Sequence, residues 1–276
     1  MKRLIAWLVT HSFLSSWRMR HLRRRLAVLA AAICLGAMQA SAASDIGIVL
    51  MHGKQGTPYK IITGLASRLE SAGYRVDRPE LCFSGRRIYD LAYQDCFRDI
   101  DAAIARLRGA GARRIVVAGQ SLGGNMAIGY GATHAGLAGI MAFAPAPDAR
   151  MLERNPLIGP AIRQAQAAAN QSARMIFPDT NEGRPPFTVT TTPAIYLSFH
   201  AAGSLVDLTV STPRLQAPLL WIAGDQDPTQ RFGPRDTFDR APPSPLNRYV
   251  RVHSTHLETP DAGADAALAW LAGLPP

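Results

Sequence analysis

The sequence of 276 residues is poor in charged and in aromatic side chains. Charged residues make up 18% of the chain and aromatic residues 7%, whereas hydrophobic residues make up 47%. This balance excludes a chain that is disordered throughout, because such chains are highly charged and poor in apolar residues. The 23 glycines and 20 prolines follow no collagen-like period. A chain of this kind can bury one large hydrophobic core or two small ones.

Acidic residues are absent from residues 1–43, which contain 7 lysines and arginines. The whole chain has a net charge of +10, from 30 basic and 20 acidic residues. Without the 7 basic residues of this leader, 23 basic residues stand against 20 acidic ones. The basic character therefore belongs to the leader, and we expect no nucleic-acid partner for the rest of the chain.

The leader also lacks a hydrophobic run long enough to span a membrane. Its apolar run, Leu26–Met38, is shorter than the roughly 20 residues that a spanning helix needs. Arg23–Arg25 precede this run, and Ala40–Ala42 follow it with the small-residue pattern of a cleavage site. We therefore predict a signal peptide over residues 1–43 and an exported domain over residues 44–276, periplasmic or extracellular, without a stable membrane span. An uncleaved membrane anchor is the alternative.

The chain has only three cysteines, and one of them lies in the leader. In an oxidising compartment the remaining pair, Cys82 and Cys96, favours a disulfide. This bridge would close a loop of about 15 residues and contribute about 3 kcal/mol in the chain-entropy model. No histidine or further cysteine clusters beside the pair, which disfavours a metal site. Two buried thiols are the alternative.

Short apolar runs alternate with amphipathic segments along the mature chain. Continuous apolar runs predict buried strands, and apolar residues that recur every three or four positions predict helices. The predicted strands are 46–51, 74–77, 115–118, 137–143, 218–223 and 249–252, and a last helix is predicted over 264–271. This order indicates an α/β fold with a mostly parallel sheet of about six strands and helices on both faces.

Residues 144–216 separate the fourth and fifth predicted strands by far more than one crossover helix needs. Residues 157–169 predict a helix, residues 177–193 are rich in turn-forming residues, and residues 194–199 predict a short strand or helix. Long insertions in compact domains are more often functional than structureless. We therefore expect a lid-like insertion, with a linker or disordered segment as the alternative.

Gly119–Gly123 has the pattern Gly-x-Ser-x-Gly, with a predicted strand before it and a predicted helix after it. A sharp turn between strand and helix holds Ser121 in a strained conformation, where neighbouring side chains would collide. Gly119 and Gly123 remove those side chains, and Gly124 lets the helix pack close to the sheet. The pattern predicts a nucleophilic serine, and a structural turn is the alternative.

A serine hydroxyl needs a base to accept its proton and an acid to orient that base. Candidates for both follow the last two predicted strands, in the segments 224–227 and 253–256. Because the carboxyl ends of parallel strands meet at one edge of a sheet, we expect these segments to lie near Ser121. The chain order is then Ser, Asp, His.

These features together resemble the α/β-hydrolase fold family over residues 45–272. The resemblance is carried by His52-Gly53 after the first strand, by Gly119–Gly123, by Gly224–Asp227 and by His256 before the terminal helix. Its fold implies an enzyme whose active site lies at the carboxyl edge of the sheet.

The resemblance implies Ser121 as nucleophile, His256 as general base and then acid, and Asp227 as the residue that orients the histidine. Asp225 is the alternative acid, although tying the turn is the role that we expect for it. His253 is the alternative base, but it directly continues the strand, whereas His256 lies farther into the loop.

The resemblance also implies an oxyanion hole formed by backbone N–H groups. One is the N–H of Leu122, and the second comes from the loop after the first strand, where we choose Lys54, with Gln55 as the alternative. We expect the Lys54 side chain to be solvated and His52 to stabilise the loop.

The reaction implied is hydrolysis of a small-molecule carboxylic ester through an acyl-enzyme, and it needs no metal or organic cofactor. Transfer of the acyl group to another alcohol and cleavage of an amide are alternatives on the same residues. A non-catalytic binding protein that retains the fold is a third reading.

Overall fold

The computed structural model describes residues 44–230 and 234–276. The predicted signal peptide over residues 1–43 lies outside the described residues. Within the described residues, no helix combines the length and the apolar character that crossing a membrane requires.

The strands are β1 (Ile46–Met51), β2 (Arg75–Asp77), β3 (Arg114–Gln120), β4 (Gly139–Phe143), β5 (Met175–Asp179), β6 (Phe187–Thr191), β7 (Leu219–Gly224) and β8 (Arg248–Val252). Six of them form one parallel sheet in the order β2-β1-β3-β4-β7-β8. The other two, β5 and β6, form an antiparallel hairpin. The predicted six-stranded α/β fold is therefore confirmed.

The helices are α1 (Thr63–Ser71), α2 (Phe97–Gly109), α3 (Leu122–Gly131), α4 (Ala149–Arg154), α5 (Ile158–Ala167), α6 (Pro193–His200), α7 (Leu208–Ser211), α8 (Thr259–Ala262) and α9 (Ala264–Ala272). In α2 the apolar residues at helical spacing, among them Ile100, Ile104 and Leu107, are buried as their pattern predicts. Gly111 follows this helix with φ of +93°, a conformation that glycine adopts without strain.

Hydrophobic cores lie on both faces of the sheet. Every residue of β1, β4 and β7 is buried, which is typical of parallel strands covered on both sides. One face packs against α2, α3 and the insertion. The other packs against α1 and α9. Residues at the carboxyl ends of these strands are therefore held by packing from two sides.

The insertion between β4 and β7 contains four helices and the hairpin of β5 and β6. The predicted helix is present as α5, and α6 begins where a strand or helix was predicted, with Thr192 accepting a hydrogen bond from the Ile195 N–H at 3.3 Å. The turn-rich interpretation of residues 177–193 is incomplete, because both ends of this segment form strands. Phe177 and Val189 pair across the hairpin and are buried, while neighbouring side chains face outward.

Candidate active site

Ser121 lies between the last residue of β3 and the first residue of α3. Its backbone has φ of +56° and ψ of −120°, a region that residues other than glycine rarely adopt. The Ser121 N–H donates to the Phe143 carbonyl at 2.9 Å, and the Ser121 carbonyl accepts from the Asn125 N–H at 2.9 Å. These bonds to the neighbouring strand and helix hold the strained turn.

The glycines around Ser121 occupy positions where a side chain has no room. A Cβ atom at Gly119 would lie 2.3 Å from the carbonyl carbon of Gly123. A Cβ atom at Gly123 would lie 2.5 Å from the carbonyl oxygen of His52 and 2.6 Å from that of Met51. The sequence interpretation of these two glycines is therefore confirmed, and the turn requires a residue without a side chain at both positions.

His256 and Asp227 form a buried pair beyond the ends of β8 and β7. Asp227 Oδ2 lies 2.7 Å from His256 Nδ1, and the two side chains are 0% and 3% exposed. Thr229 binds the other carboxylate oxygen, because its N–H and its hydroxyl both donate to Asp227 Oδ1 at 2.8 Å. Burial alone would raise the pKa of Asp227, but the hydrogen bonds from His256 and Thr229 outweigh it and lower that pKa. The carboxylate is thus ionised and fixes the ring orientation.

Asp225 and His253 form a second pair, which lies outside the buried site. Asp225 Oδ2 is 3.1 Å from His253 Nδ1, and the His253 side chain is 80% exposed. Asp225 Oδ1 also accepts the Ser254 N–H at 3.3 Å, so this carboxylate ties the turn, as expected for it. Neither residue lines the cavities described below.

A cavity of about 210 Å³ lies against Ser121 and His256. Leu122 and Lys54 also line it, together with side chains of the insertion such as Met151. A smaller cavity of about 40 Å³ is lined by the same serine and histidine. Within the described residues, the structure brings Ser121 and His256 to one cavity without a hydrogen bond between their side chains.

The backbone N–H groups near Ser121 differ in what they bind. The Gln55 N–H donates to the Phe83 carbonyl at 2.9 Å, and the Gly56 N–H donates to the Gly53 carbonyl at 2.9 Å. Among residues 44–230 and 234–276, no acceptor binds the N–H of Lys54 or of Leu122. The Gln55 amide is therefore occupied, and the two amides chosen from the sequence remain available beside the cavity.

His52 stabilises the loop after β1. Its Nδ1 donates to the Gly53 carbonyl at 2.8 Å, and its Nε2 accepts the Leu81 N–H at 3.2 Å. Burial lowers the pKa of this histidine, against the raising effect of its bond to Gly53. A neutral ring satisfies both bonds, which agrees with the loop-stabilising role expected of it.

The side chain of Lys54 is not solvated, contrary to expectation. It is 7% exposed, and its Nζ lies 2.7 Å from Asp179 Oδ1 at the end of β5. The hairpin of the insertion packs against the loop after β1, so the ammonium group is enclosed rather than hydrated. The sequence could not show this, because it does not reveal which segment the insertion brings to the loop.

Asp179 is a residue that sequence reasoning missed. Its carboxylate also accepts hydrogen bonds from the Tyr89 hydroxyl at 2.7 Å and from His200 Nε2 at 3.1 Å. Burial would raise its pKa, but the charges of Lys54 and His200 hold that pKa well below the ordinary range. In the sequence Asp179 stands in an Asp-Thr-Asn string, which is typical of a turn and carries no sign of burial.

Cys82 and Cys96 are joined by a disulfide whose Cα atoms are 5.7 Å apart. The bridge connects the segment after β2 to the residue before α2. That segment contacts the loop after β1, because the Leu81 N–H donates to His52 and the Phe83 carbonyl accepts from the Gln55 N–H. Among the described residues, no group of three or more metal-ligating side chains is arranged to hold a metal ion.

Comparisons with known proteins identify the family and the fold. The sequence profile described as "Alpha/beta hydrolase family" matches residues 48–266. No match was found among curated protein sequences.

Solved structures with the same fold include one from a study of two metagenome-derived lipolytic enzymes, LipS and LipT. It is 22% identical with a TM-score of 0.56, over 83% of this chain and 92% of that chain. Est1E from Butyrivibrio proteoclasticus with ferulic acid bound is 15% identical, with a TM-score of 0.62 over 86% and 92%. A monoacylglycerol lipase from Paleococcus ferrophilus is 19% identical, with a TM-score of 0.62 over 83% and 95%.

The family profile covers most of the chain, including the turn at Ser121 and the loops that carry Asp227 and His256. The solved structures cover a similar share and have the same fold. The chain therefore belongs to the α/β-hydrolase family.

Proposed function

We propose that the protein is a serine hydrolase that cleaves a carboxylic ester, with Ser121 as nucleophile, His256 as general base and acid, and Asp227 as the orienting carboxylate. One observation carries this proposal. A serine held in a strained turn and a histidine on a buried aspartate line the same cavity, beside two N–H groups for which the described part of the chain provides no acceptor. This combination supplies each component that acyl transfer to a serine requires.

In the first step, Ser121 Oγ forms a bond to the carbonyl carbon of the ester, and His256 Nε2 takes the hydroxyl proton. The carbonyl oxygen becomes an oxyanion that accepts hydrogen bonds from the N–H groups of Leu122 and Lys54. The bond to the alcohol oxygen then breaks, and His256 gives its proton to the leaving alkoxide. The product of this step is an acyl-serine.

In the second step, water attacks the acyl carbon and gives a proton to His256. The new oxyanion uses the same two N–H groups, the bond to Ser121 breaks, and the serine recovers its proton from the histidine. Asp227 keeps Nδ1 protonated through its 2.7 Å contact, so that Nε2 accepts and returns the proton.

His256 is the base in this proposal because of where the two candidate histidines lie. It lines both cavities beside Ser121, and its partner Asp227 is shielded from water. His253 lies in solvent beside Asp225, where hydration weakens the pair.

The cavity supports a substrate with a small acyl group. Its volume is about 210 Å³, its lining includes the apolar residues Leu122, Met151 and Leu152, and polar residues such as Asn181 line it as well. The similar solved structures include an esterase with bound ferulic acid and a monoacylglycerol lipase, which favours an ester over an amide. We therefore propose short-chain or compact esters as substrates.

An ester panel of increasing acyl length tests the proposal. We expect the highest kcat/KM with small acyl groups and a loss of about 10³-fold or more in Ser121→Ala. His256→Gln and His253→Gln form a matched pair, of which only the first lowers kcat strongly. A fluorophosphonate probe labels Ser121 in the folded wild type. Wild-type turnover in Ser121→Ala, or equal losses in the two histidine variants, contradicts the assignment.

A further inference from the structure

Lys54 is held at two points by the residues that end β5 and follow it. Its Nζ donates to Asp179 Oδ1 at 2.7 Å and to the Thr180 carbonyl at 3.0 Å. The Asn181 Nδ2 donates to the Lys54 carbonyl oxygen at 2.9 Å. The insertion therefore fixes both the side chain and the main chain of a residue that lines the cavity beside Ser121.

Asp179 is itself fixed by several elements. Its fully buried carboxylate accepts from Lys54, from the Thr180 N–H at 2.7 Å, from Tyr89 at 2.7 Å and from His200 at 3.1 Å. Tyr89 precedes α2 and His200 ends α6, so the carboxylate is anchored to two parts of the fold besides its own strand. Because the Asp179 carboxylate is fixed in this way, it also fixes the Lys54 ammonium group that it binds.

Stability alone does not account for this pair. Removing two charges from water costs several kcal/mol per ion, and apolar residues of similar volume often stabilise a fold equally well or better. The pair lies beside the reacting groups, where a displaced hydrogen-bond donor has a large effect on rate. Fixed geometry, rather than stability, is the property that a buried ion pair adds at this place.

We propose that Asp179 is a positioning residue, which holds Lys54 so that its backbone N–H stabilises the oxyanion. This inference rests on the proposed function, because it assigns a task to an N–H group of that site. Asp179 touches neither the substrate nor the reacting atoms. It acts through the side chain of Lys54.

Asp179→Asn tests the proposal because it keeps the shape of the side chain and removes its charge. A misplaced N–H weakens transition-state binding but not substrate binding, so we expect kcat to fall about 10- to 100-fold with KM little changed. Inhibition by an alkyl trifluoromethyl ketone, which forms a tetrahedral oxyanion on serine, weakens in parallel. An unchanged kcat in folded Asp179→Asn overturns the proposal.

A double variant, Lys54→Met with Asp179→Leu, separates positioning from stability. Breaking one partner of a buried ion pair is strongly destabilising, whereas replacing both partners with apolar residues is often neutral. We expect the double variant to have a higher Tm than Asp179→Leu alone, which buries the Lys54 ammonium group without a counter-charge, and to keep the lowered kcat. Its Tm stays below that of the wild type, because Tyr89 and His200 lose their acceptor. Val189→Ala is the control in the same hairpin, with a lower Tm and an unchanged kcat. Recovery of kcat together with Tm in the double variant refutes positioning.

Hydrogen exchange distinguishes a failure of this inference from a failure of the proposed function. The Gln55 N–H donates to the Phe83 carbonyl in the neighbouring segment and the Gly56 N–H donates to the Gly53 carbonyl within the loop, so the exchange rates of both amides report the order of the loop. We expect faster exchange at both amides in the double variant than in the wild type. If exchange quickens while Ser121→Ala leaves ester turnover unchanged, the anchor stands and the proposed function fails. Unchanged exchange at both amides overturns the anchor itself.

Discussion

At the scale of single residues, the two aspartate–histidine pairs differ in how much water reaches them. The outer pair of Asp225 and His253 is exposed, and water weakens its attraction. The inner pair of Asp227 and His256 is buried, and Thr229 donates a hydrogen bond to the second oxygen of the carboxylate. Enclosure keeps the inner ring in one orientation, which a reacting base requires.

Gly123→Ala tests the close approach of backbone at the serine turn. The added methyl would lie 2.5 Å from the carbonyl oxygen of His52, so the turn or the loop must move. We expect a loss of stability of about 1–3 kcal/mol, in the range of overpacked sites, and a fall in kcat. Chemical denaturation and ester turnover measure the two effects.

Gly109→Ala is the matched control for this substitution. Nothing lies within 4 Å of a Cβ atom at Gly109, which ends helix α2. We expect an equal or higher stability there, since alanine is favoured over glycine in helices by about 0.5–1 kcal/mol. Similar losses in both variants would show that space around Gly123 is not the constraint.

His52 predicts a dependence of stability on pH. Its pKa is lowered by burial, so below pH of about 6.5 the unfolded chain binds a proton that the folded protein does not. The free energy of unfolding therefore falls as the pH drops from neutral through that range. We expect His52→Asn to be less stable at pH 8 but to lose less on acidification. Parallel unfolding curves from pH 8 to pH 5 would contradict this.

At the scale of elements, the disulfide between Cys82 and Cys96 connects α2 to the segment after β2, which contacts the loop after β1. It closes a segment with a sequence separation of 14. The segment between β2 and α2 has little regular structure, so the bridge limits how far Leu81 and Phe83 can move from the loop. The bridge therefore stabilises the segment that contacts the loop beside Ser121.

Replacing both cysteines in the chain that starts at Ser44 should lower its stability by about 3 kcal/mol in the chain-entropy model. For a domain of this size the loss corresponds to a Tm about 6–12 °C lower. Scanning calorimetry with and without a thiol reductant measures it. The double variant should not respond to reductant, and a wild type that does not respond either would argue against the bridge.

The elements that the sequence predicts well are the strands that are buried on both faces of the sheet. The strands β1, β4 and β7 and the centre of β3 are short continuous apolar runs between turn-forming residues, a pattern typical of strands in a parallel sheet. The hairpin of β5 and β6 was missed because three of its outward residues, Pro178, Thr188 and Thr190, are equally typical of loops.

The candidate site shows the same difference between residues near the sheet and residues in the insertion. Ser121 directly follows β3, and Asp227 and His256 lie in the loops after β7 and β8, so the topology predicts that all three lie at one edge of the sheet. Asp179 lies in the insertion, and its contact with Lys54 spans 125 residues of sequence. Nothing in local patterning reports which distant segments meet, so this residue was visible only in the structure.

At the scale of the whole molecule, the predicted leader accounts for most of the net charge of +10. We expect a Gram-negative host that expresses the full chain to export it and to remove residues 1–42 or nearby. The basic segment, short apolar run and small residues before Ala43 are the physical reason. N-terminal sequencing of the periplasmic protein measures the cleavage site.

Leu29→Arg with Leu35→Arg is the control, because charges in the apolar run should block export and preserve the leader. The retained chain then also shows whether translation starts at Met1 or at Met19. A full-length wild-type chain in the membrane fraction would favour an uncleaved anchor instead.

The buried ion pair between Lys54 and Asp179 limits the ways in which substrate can enter. A swing of the whole insertion away from the sheet would rehydrate the charges of Lys54 and Asp179 and break the bond of Tyr89 to the same carboxylate. We therefore expect the hairpin of β5 and β6 to keep its position when substrate enters. Any gate is better sought around α4, where Met151 and Leu152 line the cavity.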